Sequence, residues 1–170
     1  MIPPIDFTKW IDEHAHLLKP PVGNKVVFEQ AEDFIVMVVG GPNQRTDFHV
    51  DPYEELFFQI KGNMRLNVMT PEGPDTVHIR EGQMWLLPGN MPHSPQREAD
   101  SVGLVIEKIR EEGTLEKFRW YCQECHAVVH EVELQVRDIV KDLPPVFAAF
   151  YADEKARTCD NCGALHPGKG

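Results

Sequence analysis

The chain has 170 residues, 42% of them hydrophobic and 26% charged, a balance that suits one globular domain with at most a small appendage and excludes a disordered chain. Lys and Arg number 17 against 27 Asp and Glu, and the net charge of -10 repels polyanions, which argues against nucleic acid as a partner but leaves room for a small anion held by local arginines. No apolar run approaches the roughly 20 residues needed to cross a bilayer, and residues 1–6 carry no basic-then-apolar leader, so no membrane partner and a cytoplasmic location are expected.

Residues 6–18 read as an amphipathic helix, with Asp6 as a candidate N-cap and Phe7, Trp10, Ile11, His14, Leu17 and Leu18 at helical spacing. Pro20 and Pro21 end it, and residues 21–24 form a loop. From about 26 to 109 the texture is that of short strands. Residues 34–39 are a continuous apolar run, expected as a strand buried on both faces. A turn follows at Gly40, Gly41, Pro42 and Asn43. Residues 55–60 alternate, with Glu55, Phe57 and Gln59 on one face and Leu56, Phe58 and Ile60 on the other; Met64, Leu66 and Val68 alternate with polar neighbours. Further strands are expected at 77–79, 84–87 and 102–109, with turns at 61–63, 71–74, 81–82 and 88–90. Many short strands with even punctuation predict an all-β antiparallel sandwich or barrel. Beyond residue 110 a segment at 118–121 leads into a first Cys-x-x-Cys, 127–134 reads as a strand, and 146–151 as a short helix after Pro144 and Pro145. The expected organisation is a barrel over 1–112 and a small appendage over 113–170 packed on it.

The four cysteines form two pairs, Cys122/Cys125 and Cys159/Cys162. Without an export signal this pattern reads as metal binding, disulfides being the competing reading. Four thiolates suit tetrahedral zinc or a rubredoxin-like iron, and such a closed site has no vacancy for substrate, so a structural clamp is expected.

His49, Glu55 and His93 supply two imidazoles and one carboxylate, the donor set with which a mononuclear Fe(II) oxygenase holds its metal on one face and leaves positions open. Each histidine is expected to end a loop that precedes or opens a strand. The surrounding punctuation reads His-x-Asp-x3-Glu-x6-Gly (His49, Asp51, Glu55, Gly62) and Gly-x5-Pro-x4-His-x3-Arg (Gly82, Pro88, His93, Arg97). These resemble the two motifs of the cupin superfamily, which implies a jelly-roll β-barrel around one metal. The family pattern usually has histidine at Asp51, glycine at Asn90 and asparagine at Arg97; the departure at Asp51 favours two histidines and one glutamate as ligands.

Further blocks narrow the resemblance: residues 19–24 (KPPVGN), Val39-Gly40-Gly41-Pro42-Asn43-x-Arg45-Thr46-Asp47, His93-Ser94-Pro95-Gln96-Arg97, Trp120-Tyr121-Cys122 and Asp142-Leu143-Pro144-Pro145. Spread over nearly the whole chain, they are similar to the 3-hydroxyanthranilate 3,4-dioxygenase family. That resemblance implies Fe(II) at the triad, a second Fe or Zn at the four cysteines, and 3-hydroxyanthranilate and O2 as substrates. The implied product is 2-amino-3-carboxymuconate semialdehyde, which closes to quinolinate for NAD synthesis in the kynurenine pathway. A homodimer is likewise implied. By the same resemblance Arg97 and Glu107 contact substrate, Arg45 contacts oxygen, and Glu55 is both ligand and substrate contact. Spacing alone leaves a mutual Arg97–Glu107 salt bridge equally open, a solvated Arg45 open, and for Asn24 a turn role simpler than a pocket role. Glu107 is an acceptor or a base. His14, His16, His78, His126, His130 and His166 lack such context and read as structural or surface. The alternative function is a non-catalytic cupin that binds a small aromatic or sugar acid; ring cleavage by the iron-loaded protein separates the two.

Overall fold

Asp6 accepts a hydrogen bond from the Lys9 N–H at 3.0 Å and opens α1 (Phe7–His14), which one 3-10 turn at Ala15–Leu17 extends. The computed structural model describes residues 2–20 and 23–169, so Pro21 and Val22 lie outside the described residues. No residue of α1 is buried; the segment is anchored one step later by buried Leu18, which lies against the backbone of Gly40. A Cβ on Gly40 would stand 1.9 Å from the Leu18 carbonyl oxygen, so only glycine permits that approach.

Eleven strands follow among the described residues: β1 (Asn24–Val26), β2 (Phe34–Gly40), β3 (Asp47–Val50), β4 (Glu55–Lys61), β5 (Met64–Thr70), β6 (Gly73–Ile79), β7 (Met84–Leu87), β8 (His93–Arg97), β9 (Val102–Lys108), β10 (Glu116–Tyr121) and β11 (Val128–Leu134). They form a five-stranded sheet, β1-β2-β9-β4-β7, and a six-stranded sheet, β11-β10-β3-β8-β5-β6, in which every pairing is antiparallel. The inward sets are those the alternation predicts: Glu55, Phe57 and Gln59 from β4, and Met64, Leu66 and Val68 from β5, are all buried. Phe57, Met64, Leu66, Val68, Ile79, Leu87 and Val105 make one core cluster, and Phe57 and Val105 also line the cavity that holds the polar side chains described below.

Several expectations are corrected. β2 is not buried on both faces: Phe34 is 56% exposed and the strand is buried only at Val38 and Gly40, because an antiparallel sheet without a covering helical layer keeps one face open. Gly73 and Pro74 belong to β6, leaving the turn to Pro71 and Glu72. His49 lies within β3 and does not end a loop, whereas His93 opens β8. The C-terminal helix is longer than 146–151: α2 (Ile139–Ala152) carries Pro144 and Pro145 inside it. Asp142 accepts from the N–H groups of Arg137 and Asp138 at 2.8 Å each, and Leu143 and Phe150 bury against Phe118 and Trp120, packing that outweighs the local cost of the prolines. A short α3 (Glu154–Arg157), capped by Asp153, leads to the last cysteines. β10 and β11 continue the six-stranded sheet through pairing with β3, so residues just beyond 112 share a sheet with the barrel strands. Among the described residues no helix is long and apolar enough to cross a membrane.

Candidate active site

The register of the two sheets brings the triad together. His49 on β3 stands directly opposite His93 on β8, while Glu55, at the start of β4 in the facing sheet, stands opposite Glu107 of β9. Two imidazoles therefore come from one sheet and the carboxylate from the other. One nitrogen or oxygen from each of His49, Glu55 and His93 lies within 4.8 Å of the others.

Hydrogen bonding decides which ring nitrogen is available. His93 Nδ1 donates to the Met91 carbonyl at 3.0 Å, which leaves the Nε2 lone pair aimed at Glu55 Oε1, 3.2 Å away. His49 Nε2 donates to Glu116 Oε2 at 2.5 Å, which leaves Nδ1 facing the same oxygen at 3.6 Å. Phe118, paired with His49 across the sheet, stacks on its ring at 5.0 Å and fixes its plane. Glu55 Oε1 is buried and has no hydrogen bond of good geometry. A buried carboxylate oxygen facing two ring nitrogens that have no proton to give it is an arrangement a divalent cation completes, with both histidines oriented by outer partners as metal-bound histidines are. The residues present fit a metal. Where protons occupy the two ring nitrogens in place of a metal, burial pushes Glu55 upward, but the positive charges on His93 and His49 outweigh it and hold the carboxyl down at about 2.

The same cavity is lined by Arg97, Glu107, Arg45 and Asn24, with Val39 and Val105 among its apolar walls. Arg97 is 4% exposed, reaches only Gln59 Oε1 at 3.5 Å, leaves its Nε without a partner and has no ion pair among the described residues. Burial lowers its guanidinium to about 10. The mutual Arg97–Glu107 salt bridge left open by spacing does not form. Glu107 pairs instead with Arg110, Nη1 to Oε1 at 2.9 Å, and burial still holds its carboxyl above the usual range despite that cation. Arg45 is held by buried Asp47, with Nε donating to both carboxylate oxygens at 3.1 Å, and is not a freely solvated side chain. Asn24 begins β1 and faces the cavity, so its role is not confined to a turn. Asn90, where the cupin pattern usually has glycine, adopts φ 63°, which asparagine tolerates.

Sequence reasoning missed an ion network behind the triad. Asp51, Glu107 and Glu116 all contact the guanidinium of Arg110. The available signal was Glu116: it shares the inward face of β10 with Phe118 and Trp120, and a carboxylate on an otherwise apolar face needs a partner. The four cysteines form a second cluster. Cys122 Sγ lies 3.5 Å from Cys162 Sγ and Cys125 Sγ 3.6 Å from Cys159 Sγ, and all four are unoxidised. Disulfide sulfurs would stand about 2 Å apart, whereas sulfurs about 2.3 Å from a tetrahedral ion stand about 3.8 Å apart, so the spacing fits a metal. His14, His16, His78, His126, His130 and His166 belong to none of the ligand clusters found among the described residues.

A family model described as 3-hydroxyanthranilic acid dioxygenase matches residues 1–151. A Burkholderia cenocepacia protein named 3-hydroxyanthranilate 3,4-dioxygenase is 55% identical over 98% of this chain and 94% of its own length. Relatives of the same name from Jannaschia sp. and Ruegeria pomeroyi are 58% and 57% identical, each over 96% of this chain and 91% of their own length. Among solved structures, a cupin-2 domain containing protein from Shewanella frigidimarina matches 62% of this chain and 94% of its own with a TM-score of 0.50 and 16% identity, a likeness of fold. A cupin barrel that brings the His/Glu triad and the two Cys-x-x-Cys knuckles together, matched by relatives of one name along nearly its full length, makes this chain a member of the 3-hydroxyanthranilic acid dioxygenase family.

Proposed function

We propose that this chain opens the ring of 3-hydroxyanthranilate with O2 to give 2-amino-3-carboxymuconate semialdehyde, the precursor of quinolinate for NAD synthesis, using Fe(II) held by His49, Glu55 and His93. The observation that carries the reading is Arg97, a buried guanidinium without a counter-ion among the described residues, in the cavity that holds the triad. A buried unpaired cation is costly, and the substrate's carboxylate supplies the missing charge with a planar, bidentate fit. When bound, iron supplies the redox step between an aromatic ring and O2 that no side chain performs.

The protein's own part is position and proton control. Arg97 anchors the carboxylate, and the apolar walls around Val39 and Val105 exclude water from the ring. The amine and hydroxyl then point toward the triad and toward Glu107. A carboxyl raised by burial yet still hydrogen-bonded to Arg110 is suited to accept the hydroxyl proton as the ring commits to cleavage. Arg45, steadied by Asp47, offers its remaining N–H groups to the oxygen side of the cavity. The four-cysteine cluster acts as a clamp on the C-terminal segment, holding Fe or Zn, and the barrel over 1–112 carries the catalytic residues. The protein works as a cytoplasmic homodimer.

Anaerobic reconstitution with Fe(II), followed by O2 and 3-hydroxyanthranilate, tests the activity. An absorbance rise from the ring-opened semialdehyde is expected; iron-loaded protein that produces none over hours would end the proposal.

A further inference from the structure

The triad does not stand alone. Two other sets of groups meet the same 4.8 Å condition around it, His49–Asp51–Glu116 and Asp51–Glu55–Glu107. Asp51, Glu107 and Glu116 are all buried oxygen donors close enough to compete for a divalent ion. An ion that took one or two of them would be gripped harder and would lose the open positions that a chelating substrate needs.

One side chain engages all three competitors. Arg110 donates through Nη2 to Asp51 Oδ2 at 2.7 Å, to Glu107 Oε2 at 3.2 Å and to Glu116 Oε2 at 3.2 Å, and through Nε to Glu116 Oε1 at 2.8 Å, while its Nη1 lies in ion-pair contact with Glu107 Oε1 at 2.9 Å. Glu55 is the carboxylate of the four that Arg110 does not contact, and its Oε1 is the oxygen left without a hydrogen bond. The planar fork of guanidinium N–H groups is what allows one cation to span three carboxylates; an ammonium reaches fewer at fixed geometry. Through Glu116 the same guanidinium also bears on the tautomer of His49, because Glu116 accepts the His49 Nε2 proton.

We propose that Arg110 selects the ligand set of the metal: by holding Asp51, Glu107 and Glu116 it withholds them from the ion and leaves two imidazoles and Glu55, with neighbouring positions free. Arg110 is thus a positioning residue that acts through other side chains. The inference rests on the reading of the triad as a metal site.

The test compares wild type, Arg110→Met and Arg110→Lys, each loaded anaerobically with Fe(II), with nitric oxide as a probe of open positions by electron paramagnetic resonance and chelator-driven iron release as a probe of grip. Arg110→Met is expected to lose about tenfold of the wild-type nitrosyl signal and to release iron about tenfold more slowly, with Arg110→Lys in between. Adding Asp51→Asn, Glu107→Gln and Glu116→Gln to Arg110→Met is expected to restore the nitrosyl signal, which a general loss of structure would not do. If Arg110→Met does not fold, Arg110→Met/Glu116→Gln, which frees Asp51 and Glu107 with less buried charge, takes its place with the same expectation. A folded variant with the wild-type nitrosyl signal and iron release overturns the proposal, as does failure of the added substitutions to restore the signal. A folded His93→Ala variant that keeps both the wild-type iron content and the wild-type nitrosyl signal overturns the metal reading itself, and this inference with it.

Discussion

Replacing Arg97 by methionine separates stability from activity. The guanidinium is buried, without a counter-ion among the described residues, and burial lowers it to about 10. Relative to an ordinary value near 12.5 that depression corresponds to about 3 kcal/mol of lost solvation, carried by the native state at neutral pH. The sign follows from protonation: the folded state binds this proton more weakly than the unfolded one, so the destabilisation is fully present below the folded value and fades as pH rises through and beyond it. Methionine fills similar space without charge, and the Gln59 hydrogen bond it removes is worth about 1 kcal/mol. Arg97→Met is therefore expected to stabilise the chain by about 2 kcal/mol, or raise Tm by about 4–8 °C. Activity should move the other way. Leaving the substrate carboxylate unpaired in a buried site costs about 2–5 kcal/mol, a fall in kcat/KM of about 30-fold to several thousandfold. Thermal melts read the first effect, and steady-state kinetics with 3-hydroxyanthranilate and with 2-aminophenol, which lacks the carboxylate, read the second. Preference for the carboxylated substrate should collapse in the variant. A variant less stable than wild type, or one that keeps the preference, refutes the reasoning.

Gly103 lies beside the same guanidinium: an added Cβ would stand 2.5 Å from Arg97 Nη1 and 2.9 Å from Gln59 Oε1, so Gly103→Ala should displace the anchor and raise KM about 10- to 100-fold in a protein with an unchanged circular dichroism spectrum. His126, the residue after the first Cys-x-x-Cys, sits at φ 61° where the equivalent residue after the second is Gly163 at φ 76°, so His126→Gly should stabilise the metal-loaded chain by about 0.5–1 kcal/mol in denaturant melts. Cys122→Ser should lower Tm while the folded fraction keeps turnover; a fully folded variant without turnover would show that the cluster is more than a clamp. Metal loading should weaken as pH falls: burial lowers the His93 pKa, but the facing Glu55 outweighs it and raises the group above its ordinary value, so protons compete for Nε2 from above the usual imidazole range downward. Chelator competition from pH 5.5 to 8 should show apparent affinity falling by up to about tenfold per pH unit for each imidazole, and a flat profile would exclude histidine ligation.

Sequence alone determined the elements whose side chains obey a simple period, and the residues whose chemistry is unusual wherever they sit. The alternations of β4 and β5 fix their buried faces because apolar and polar positions differ at every step, and the paired knuckles and the histidines of the two motifs stand out by spacing. The strands that build the cavity were illegible for the opposite reason: β3 and β8 direct His49, His93, Pro95 and Arg97 inward, so no apolar alternation announces them. α2 was foreshortened because two prolines argue locally against a helix that only its packing on Phe118 and Trp120 sustains. Tertiary structure alone decided who pairs with whom. Whether Glu107 would neutralise Arg97 or Arg110, and that Asp51 and Glu116 would meet at one guanidinium, depends on the register of strands far apart in the chain, since Coulomb attraction in a buried site is set by a few ångströms that no local pattern encodes.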